Sequence, residues 1–324
     1  MVPAAELQVT GLWVRLRLPR AWVAAVSDVS FQIRPGECLA LVGESGCGKS
    51  VLAAALLGFL PANAQVAGAA TLRGGDRPPI ELLSAPERVL ARAVRGRRIG
   101  LIPQSPAAHL TPVRTVRSQL EEAARTHHPG SGQPRDIAER VAVSAGLHPA
   151  DLGRYPHELS GGMAQRAATA LALVADPWLL IADEPTTGLD RDLVEAFLDE
   201  LRRLVEQRRT VLLITHDLAA ARRVADRIAV MYAGRFVEFG PAAGVLDHPV
   251  HPYTYGLIES LPERAFTPIP GMPPLLTDLP NGCPFHPRCP HAVARCRQCP
   301  PPLEPAQAHA PVHDVACYQP WSTS

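Results

Sequence analysis

Lysine is almost absent from this chain of 324 residues, since Lys49 is the only one and every other basic side chain is arginine. We expect this single lysine to have a role that arginine cannot fill. An excess of positive charge is also missing, because the formal net charge is +1, and aromatic residues make up only 5%. A dedicated nucleic-acid-binding protein needs a basic surface and stacking rings. The composition therefore argues against that class.

Long apolar runs are missing too. The longest charge-free stretch covers residues 50–72, where Pro61, Asn63 and Gln65 interrupt it, so we expect no membrane-spanning helix. The first residues lack the basic start and apolar run of a secretory signal. We therefore expect a cytosolic protein whose seven cysteines stay reduced. In that compartment cysteines more often bind metals or act in catalysis than form disulfides.

Short continuous apolar runs alternate with helical patterns along the chain. Five runs have the composition of strands buried on both faces of a parallel sheet, and they cover residues 39–42, 99–102, 179–182, 211–214 and 228–231. Residues 192–205 place apolar side chains at three-to-four spacing, which predicts an amphipathic helix covering a sheet. This alternation predicts an α/β fold.

The composition changes near Pro262. The last 63 residues contain 15 of the 34 prolines and five of the seven cysteines. Regular helices and central strands are not expected in such a segment, and it cannot easily build its own apolar core. We therefore predict a main domain over residues 1–262 and a Cys/Pro-rich extension over residues 263–324, held by a metal or covalent staple.

A glycine-rich motif follows the first buried run. Its residues fit the pattern G-x-x-x-x-G-K-[ST], and they are Gly43, Glu44, Ser45, Gly46, Cys47, Gly48, Lys49 and Ser50. In such a loop the backbone N–H groups surround phosphate oxygens, and the start of the next helix adds a favourable dipole. Lys49 would reach the β- and γ-phosphates, and Ser50 would hold Mg²⁺. The motif predicts a P-loop that binds a nucleoside triphosphate.

Two carboxylates end another buried run. Asp183 and Glu184 follow the apolar residues 179–182. Asp183 suits a Mg²⁺ ion, directly or through water. Glu184 is placed to polarise an attacking water as a general base. The pair predicts nucleotide hydrolysis.

Between these two motifs, residues 159–166 read LSGGMAQR. This segment resembles the signature of the ATP-binding-cassette (ABC) family, and Gln104, Asp190 in a Gly-Leu-Asp turn, and His216 stand where that family's other motifs are expected. The resemblance covers about residues 6–262. It implies a P-loop ABC ATPase core, with a RecA-like parallel sheet, an antiparallel β region and a helical signature subdomain at about residues 105–168.

The resemblance also implies roles for individual residues. Ser160, Gly161 and Gly162 would contact the γ-phosphate of ATP held by a second ATPase subunit, so two subunits would dimerise head to tail around two ATP molecules. Asp190 would lie at the dimer interface. Gln104 would sense Mg²⁺ and water, and His216 would contact the γ-phosphate.

The residue that stacks on adenine is less clearly defined by the sequence. Trp22 is our candidate because it precedes the P-loop and stands a few residues before the segment 25–30 (AVSDVS), although a tryptophan there packs into the protein nearly as often. Cys47 replaces the serine that is commoner at its P-loop position.

The C-terminal region resembles one group within the family. Residues 248–257 (HPVHPYTYGL), 269–271 (IPG) and 282–290 (GCPFHPRCP) look like the C-terminal region of dipeptide, oligopeptide and nickel importer ATPases. This likeness implies an ATPase subunit at the cytoplasmic face of the membrane, bound peripherally. Its partners would be a sister ATPase (or a second copy), two transmembrane permease subunits and, indirectly, an extracytoplasmic solute-binding protein.

Four cysteines match those of that group, in some members of which they hold an iron–sulfur cluster: Cys283, Cys289, Cys296 and Cys317. Four thiolates on loops suit a [4Fe–4S] cluster or tetrahedral zinc, and unmetallated thiols are the third alternative. Cys299 has no counterpart in the pattern. Four histidines form an alternative set of zinc ligands: His286, His291, His309 and His313.

Together these features predict the ATP-hydrolysing subunit of an importer for di- or oligopeptides or a related small solute, with ATP and Mg²⁺ as ligands. The alternative is a soluble ABC ATPase that acts on DNA or ribosomes. Proteins of that kind usually fuse two cassettes or insert a long coiled coil, and this chain has neither. The arginine-rich residues 88–98 are more simply a solvated helix face than a nucleic-acid contact.

Overall fold

The computed structural model describes residues 5–75, 77–130, 133–306 and 313–321. Its contacts divide the chain into two compact units. The first unit comprises Met1–Leu7, Ile33–Cys38 and Leu72–Ile214, and the second comprises Gln8–Gln32, Leu39–Thr71 and Thr215–Ser324. Within the described ranges, every helix is too short or too polar to cross a bilayer.

The described residues alternate between strands and helices. In chain order the strands are β1 (Ala5–Arg17), β2 (Trp22–Ile33), β3 (Cys38–Val42), β4 (Ala64–Gly74), β5 (Arg77–Glu81), β6 (Ile99–Ile102), β7 (Leu179–Asp183), β8 (Thr210–Thr215), β9 (Arg227–Tyr232), β10 (Arg235–Pro241), β11 (Glu304–Pro305) and β12 (Asp314–Val315). The helices are α1 (Lys49–Leu57), α2 (Glu87–Val89), α3 (Pro106–His109), α4 (Val116–His127), α5 (Pro134–Ser144), α6 (Gly161–Leu173), α7 (Arg191–Glu206), α8 (Leu218–Val224), α9 (Ala242–Asp247) and α10 (Pro252–Glu259). Each of the five predicted buried strands is confirmed.

A parallel sheet forms the centre of the first unit. Strands β6 and β7 pair with Ile99 opposite Leu179, and β7 and β8 pair with Leu179 opposite Thr210. Nearly all of their side chains are buried, as the continuous apolar runs predicted. Helix α7 buries one apolar stripe that includes Phe197 and Leu201 and exposes its charged face, which confirms the predicted amphipathic helix.

Four helices of the first unit, α3 to α6, lie between β6 and β7 in the sequence. Helices α4 and α5 pack on each other, and α3, α4 and α5 all pack on α6. Thr115 caps α4 by accepting a hydrogen bond from the N–H of Ser118. The described part of residues 103–178 contains no strand. This arrangement supports a helical subdomain, whose limits at residues 105–168 stay a prediction.

A mixed sheet forms the centre of the second unit. Strand β3 pairs in parallel with β9, and β9 pairs antiparallel with β10. Strands β1, β2 and β4 lie mostly in this unit and are neighbours in the order β2-β1-β4. The buried β3 leads directly into the glycine-rich motif and then into α1.

The C-terminal segment packs on this second unit. Its two-residue strand β12 pairs with β10, placing Val315 opposite Glu238, and β11 pairs with β12. Val250, Ala306 and Val315 form a small apolar cluster against which Cys317 packs. The C-terminal segment is therefore stabilised by pairing with strand β10 of the second unit. The domain boundary at residue 262 stays a prediction.

Candidate active site

The glycine-rich motif forms a tight turn between β3 and α1. Gly43 has φ 152° and Gly48 has φ 110°. A Cβ atom at Gly43 would lie 2.2 Å from the carbonyl oxygen of Met231, and one at Gly48 would lie 2.1 Å from that of Ala25. Gly48 is also the N-cap residue of α1, and as a glycine it supplies no side-chain acceptor to the first N–H groups of this helix. A helix start of this kind is suited to bind an anion.

Lys49 spans the inside of this turn. Its side chain is buried, and Nζ donates to the carbonyl oxygens of Gly43 at 2.7 Å and Glu44 at 3.2 Å. An ammonium group is a compact point charge, whereas a guanidinium is a broad planar fork. The tight space inside the turn accounts for a lysine in a chain that otherwise uses arginine.

Cys47 is buried within the same turn. Burial raises the pKa of its thiol, while the charge of Lys49 acts in the opposite direction. Its carbonyl oxygen accepts from the N–H of Gly234 at 2.9 Å, which ties the turn to the β9–β10 connection. The side chain is therefore a packed thiol rather than an exposed one.

A cavity of about 260 Å³ opens beside the turn. On one side it is lined by Glu44, Ser45, Gly46 and Cys47, and on the other by Pro273, Pro274, Leu275 and Leu276 of the C-terminal segment. The N–H of Ala24, near Trp22, donates to the carbonyl oxygen of Leu276 at 2.9 Å. The C-terminal segment thus runs along the rim of the P-loop.

Glu44 is held by two side chains from distant parts of the chain. Its backbone N–H donates to Oη of Tyr253 at 2.9 Å. Its carboxylate accepts two hydrogen bonds from the guanidinium of Arg288, at 2.8 and 3.1 Å. Both partners lie more than 200 residues away in sequence, so no local pattern could have indicated them.

The acidic pair stands at the end of β7 in the first unit. Glu184 is buried and has φ 47°, a conformation that is uncommon for a residue with a side chain. Its N–H donates to the carbonyl oxygen of Ile214 at 2.8 Å, which holds this backbone in place. Strained backbone of this kind is concentrated at functional sites.

The signature turn precedes α6, also in the first unit. Ser160 caps the helix, accepting from the N–H of Met163 at 3.3 Å. A Cβ atom at Gly162 would lie 2.7 Å from a methyl group of Leu193, whereas one at Gly161 would have ordinary contacts. Asp190 caps α7 in the same way, accepting from the N–H of Leu193 at 3.1 Å. Both caps were missed in the sequence, although serine and aspartate before a helix are their usual signal.

Three further predicted residues are exposed. Gln104 follows β6 in the first unit, His216 follows β8 in the second, and Trp22 begins β2 with 41% of its side chain exposed. The second unit thus contains the P-loop, Trp22 and His216. The first contains Gln104, the acidic pair and the signature turn.

The four predicted cysteine ligands line one small cavity in the second unit. Cys283, Cys289, Cys296 and Cys317 surround a space of about 10 Å³, which is room for about one water molecule. Burial raises the pKa of Cys283 to about 11 and that of Cys317 to about 12. Among the described residues, no group of three or more His, Cys, Asp or Glu side chains is arranged to hold a metal ion.

The histidines of the alternative zinc set have other contacts. His286 Nδ1 lies 3.0 Å from the carbonyl oxygen of Cys283, and the His291 ring packs on Trp321. His313 is buried, with Nε2 2.8 Å from the carboxylate of Glu238. His309 lies outside the described residues. Cys299 is exposed, and its Sγ lies 3.0 Å from Oη of Tyr318.

Comparison with protein families gives two matches. The ABC transporter family matches residues 26–187, and the oligopeptide/dipeptide transporter C-terminal region matches residues 237–296. The second match starts before Pro262, so the group-specific sequence includes most of β10 and all of α9 and α10.

Individual proteins agree with these matches. The oligopeptide transport ATP-binding protein OppD of Salmonella typhimurium is 41% identical, over 97% of this chain and 93% of its own length. OppD of Escherichia coli is 40% identical over 98% and 94%, and a putative peptide import ATP-binding protein of Brucella ovis is 40% identical over 94% of both.

Solved structures of ABC cassettes share the fold. The dimeric structure of MJ0796, a bacterial ABC transporter cassette, has a TM-score of 0.64 at 25% identity and covers 73% of this chain and 98% of its own. CbiO1 of Clostridium perfringens, part of the transporter complex cbiONQ, has a TM-score of 0.61 at 25% identity, with coverages of 75% and 90%. The chain belongs to the ABC transporter family, within its group of oligopeptide and dipeptide importer ATPases.

Proposed function

We propose that this protein powers the uptake of di- or oligopeptides by binding and hydrolysing ATP in the turn that Gly43 and Gly48 shape. The observation that carries this proposal is that a buried lysine and the glycine-capped start of α1 meet inside that turn. The group-specific C-terminal region on the same chain, and the peptide importers to which the chain is similar, support peptide as the solute.

Each predicted residue receives a role in this proposal. The P-loop N–H groups and Lys49 bind the phosphates, and Trp22 stacks on adenine. Ser50, Asp183 and Gln104 would hold Mg²⁺, which neutralises charge on the phosphates when bound. Glu184 accepts the proton of the attacking water, and His216 contacts the γ-phosphate. The left-handed backbone of Glu184 supports its role, because such conformations are concentrated at functional sites.

A second ATPase subunit would complete the site. In the proposal Ser160, Gly161 and Gly162 contact ATP bound by that subunit, and Asp190 lies at the interface. The subunit is a sister ATPase or a second copy of this chain. Closure of the dimer on ATP, and reopening after hydrolysis, would drive the transport cycle.

The remaining partners follow from the importer group. The ATPase pair would dock on two transmembrane permease subunits at the cytoplasmic face of the membrane. An extracytoplasmic binding protein would deliver the solute to those permeases and would not touch this chain.

We include a [4Fe–4S] cluster on Cys283, Cys289, Cys296 and Cys317 in the proposal, with zinc as the alternative. Its support is that these four thiols line one cavity and that Cys299, the cysteine without a counterpart, does not line it. The cavity is smaller than a cluster, so the thiols would have to move apart to bind one. Four thiolates are a donor set that such a cluster uses.

Iron and acid-labile sulfide analysis of anaerobically purified protein tests this part. Cys296→Ser should lower both contents, whereas the matched control Cys299→Ser should leave them unchanged. A colourless preparation that contains zinc, or equal iron in both variants, would refute the cluster.

Two substitutions test the hydrolytic site, assayed with the permease subunits present. Glu184→Gln should bind ATP normally and lose at least about a hundredfold in turnover, as expected when a general base is removed. Lys49→Ala should weaken ATP binding itself, because it removes the charge inside the turn. Undiminished hydrolysis by Glu184→Gln, or unchanged affinity in Lys49→Ala, would contradict the assignment.

A further inference from the structure

Arg288 connects the cysteine-rich loop to the P-loop within the second unit. It stands directly before Cys289, in the loop that begins at Cys283. Only 5% of its side chain is exposed, against 25% for that of its partner Glu44. A buried guanidinium is costly unless its N–H groups are paired, so the partners of Arg288 define what it does.

Every nitrogen of the Arg288 guanidinium has a partner. Two N–H groups donate to the carboxylate of Glu44, and Nε donates to the carbonyl oxygen of Pro270 at 2.9 Å. Longer contacts reach Ile269 O at 3.4 Å and Tyr232 Oη at 3.3 Å. A guanidinium is not deprotonated in proteins, so Arg288 is a fixed positive charge.

Glu44 is an unfavourable neighbour for a nucleotide. Its carboxylate belongs to the turn that is proposed to bind ATP, where a negative charge repels phosphate oxygens. The paired guanidinium cancels that charge. The pair is partly buried, so solvent screens it less than it screens an exposed pair.

The same region also fixes the backbone of Glu44. Tyr253 Oη accepts the Glu44 N–H, and its ring packs on Tyr232 and Phe285, with centroids 4.5 Å apart for Tyr232 and 5.4 Å for Phe285. Phe285 lies in the same loop as Arg288, two residues after Cys283. The loop that begins at Cys283 thus supplies two groups. Arg288 pairs with the carboxylate of Glu44, and Phe285 packs on the tyrosine that accepts the Glu44 N–H.

We propose that Arg288 is a positioning residue of the ATP site: it neutralises and holds Glu44, so that the cysteine-rich loop sets the affinity of the P-loop for MgATP. The inference rests on the proposed function only in taking the P-loop as the ATP site. It predicts that the effect of Arg288 on binding depends on the charge at position 44.

The test measures the dissociation constant of the non-hydrolysable ATP analogue AMP-PNP with Mg²⁺, by calorimetry on the full-length protein. Arg288→Ala should bind it roughly tenfold more weakly, corresponding to about 1.4 kcal/mol, because the Glu44 carboxylate is left uncompensated. Glu44→Gln alone removes the negative charge from the turn while Arg288 stays positive, so it should bind the analogue more tightly than the wild type does. Adding Glu44→Gln to Arg288→Ala should restore most of the lost affinity.

Matched variants separate this role from a purely structural one. Arg297→Ala removes an exposed arginine of the same region and should leave the affinity unchanged. Arg288→Lys, which keeps the charge but loses the fork, should bind more tightly than Arg288→Ala. A structural role would lower the melting temperature of Arg288→Ala, but it would not make Glu44→Gln a rescuing change.

Each result is decisive. Wild-type affinity in Arg288→Ala, or a double variant that binds no better than Arg288→Ala, would overturn the inference and leave the proposed function standing. Failure of the wild type itself to bind the analogue would instead overturn the proposed function. If Arg288→Ala does not fold, the comparison of Arg288→Lys with and without Glu44→Gln decides the question in the same way.

Discussion

Two glycine-rich turns open helices in this chain, the P-loop before α1 and the signature turn before α6. In the P-loop, Gly43 and Gly48 have positive φ angles, and their Cα atoms approach carbonyl oxygens too closely for any Cβ atom. In the signature turn neither glycine has a positive φ angle, and Gly162 is small because the side chain of Leu193 packs against it. The first turn needs glycine for its backbone and the second for its packing.

The helix caps differ in the same way. Gly48 has no side chain with which to cap α1, whereas Ser160 itself accepts from one N–H group of α6. A helix start that is capped by glycine lets an anion approach its N–H groups closely. In the signature turn the serine side chain already accepts one of these N–H groups. This difference agrees with a turn that serves the nucleotide of a second subunit.

Of the glycine substitutions in the two turns, Gly48→Ala should have the largest effect. The new Cβ atom would meet the carbonyl oxygen of Ala25, which belongs to the backbone and cannot swing away. We expect the affinity for MgATP to fall by on the order of a hundredfold, about 2.7 kcal/mol. Calorimetric titration checks it, with Gly46→Ala as the control, since a Cβ there meets no atom within 4 Å. An equal loss of affinity in both variants would mean that the positive φ angles, rather than the close contact with Ala25, require glycine in this turn.

The sequence was sufficient for the strands, for the P-loop and for the family, because each depends on local patterns or on a motif with fixed spacing. It could not reveal the contacts of Glu44, since Arg288 and Tyr253 reach it from distant parts of the chain. The packing of Gly162 on Leu193 has the same origin. The left-handed backbone of Glu184 was also invisible, because nothing in the residue itself favours it.

A middle-sized effect is expected for Gly162→Ala. The added methyl group would press on the end of the Leu193 side chain, which can move, so overpacking should cost about 1–3 kcal/mol of unfolding free energy. Affinity at the P-loop should stay unchanged, because the clash is confined to the first unit. Denaturant unfolding measures the cost, and Leu193→Val in the same chain should recover part of it. No recovery would show that Leu193 is not the limiting contact.

The smallest change in stability belongs to Gly161→Ala, which isolates the role of the signature turn. Its Cβ would lie 3.7 Å from Leu189, an ordinary contact, and its backbone is not left-handed. We expect the free energy of unfolding to change by no more than about 0.5 kcal/mol. Turnover in the assembled transporter should still fall about tenfold or more, because the methyl group would enter the space proposed for the second subunit's nucleotide. Gly162→Ala should change stability, whereas Gly161→Ala should not. Normal turnover in a stable Gly161→Ala protein would therefore show that the signature turn does not contribute to the ATP site of the second subunit.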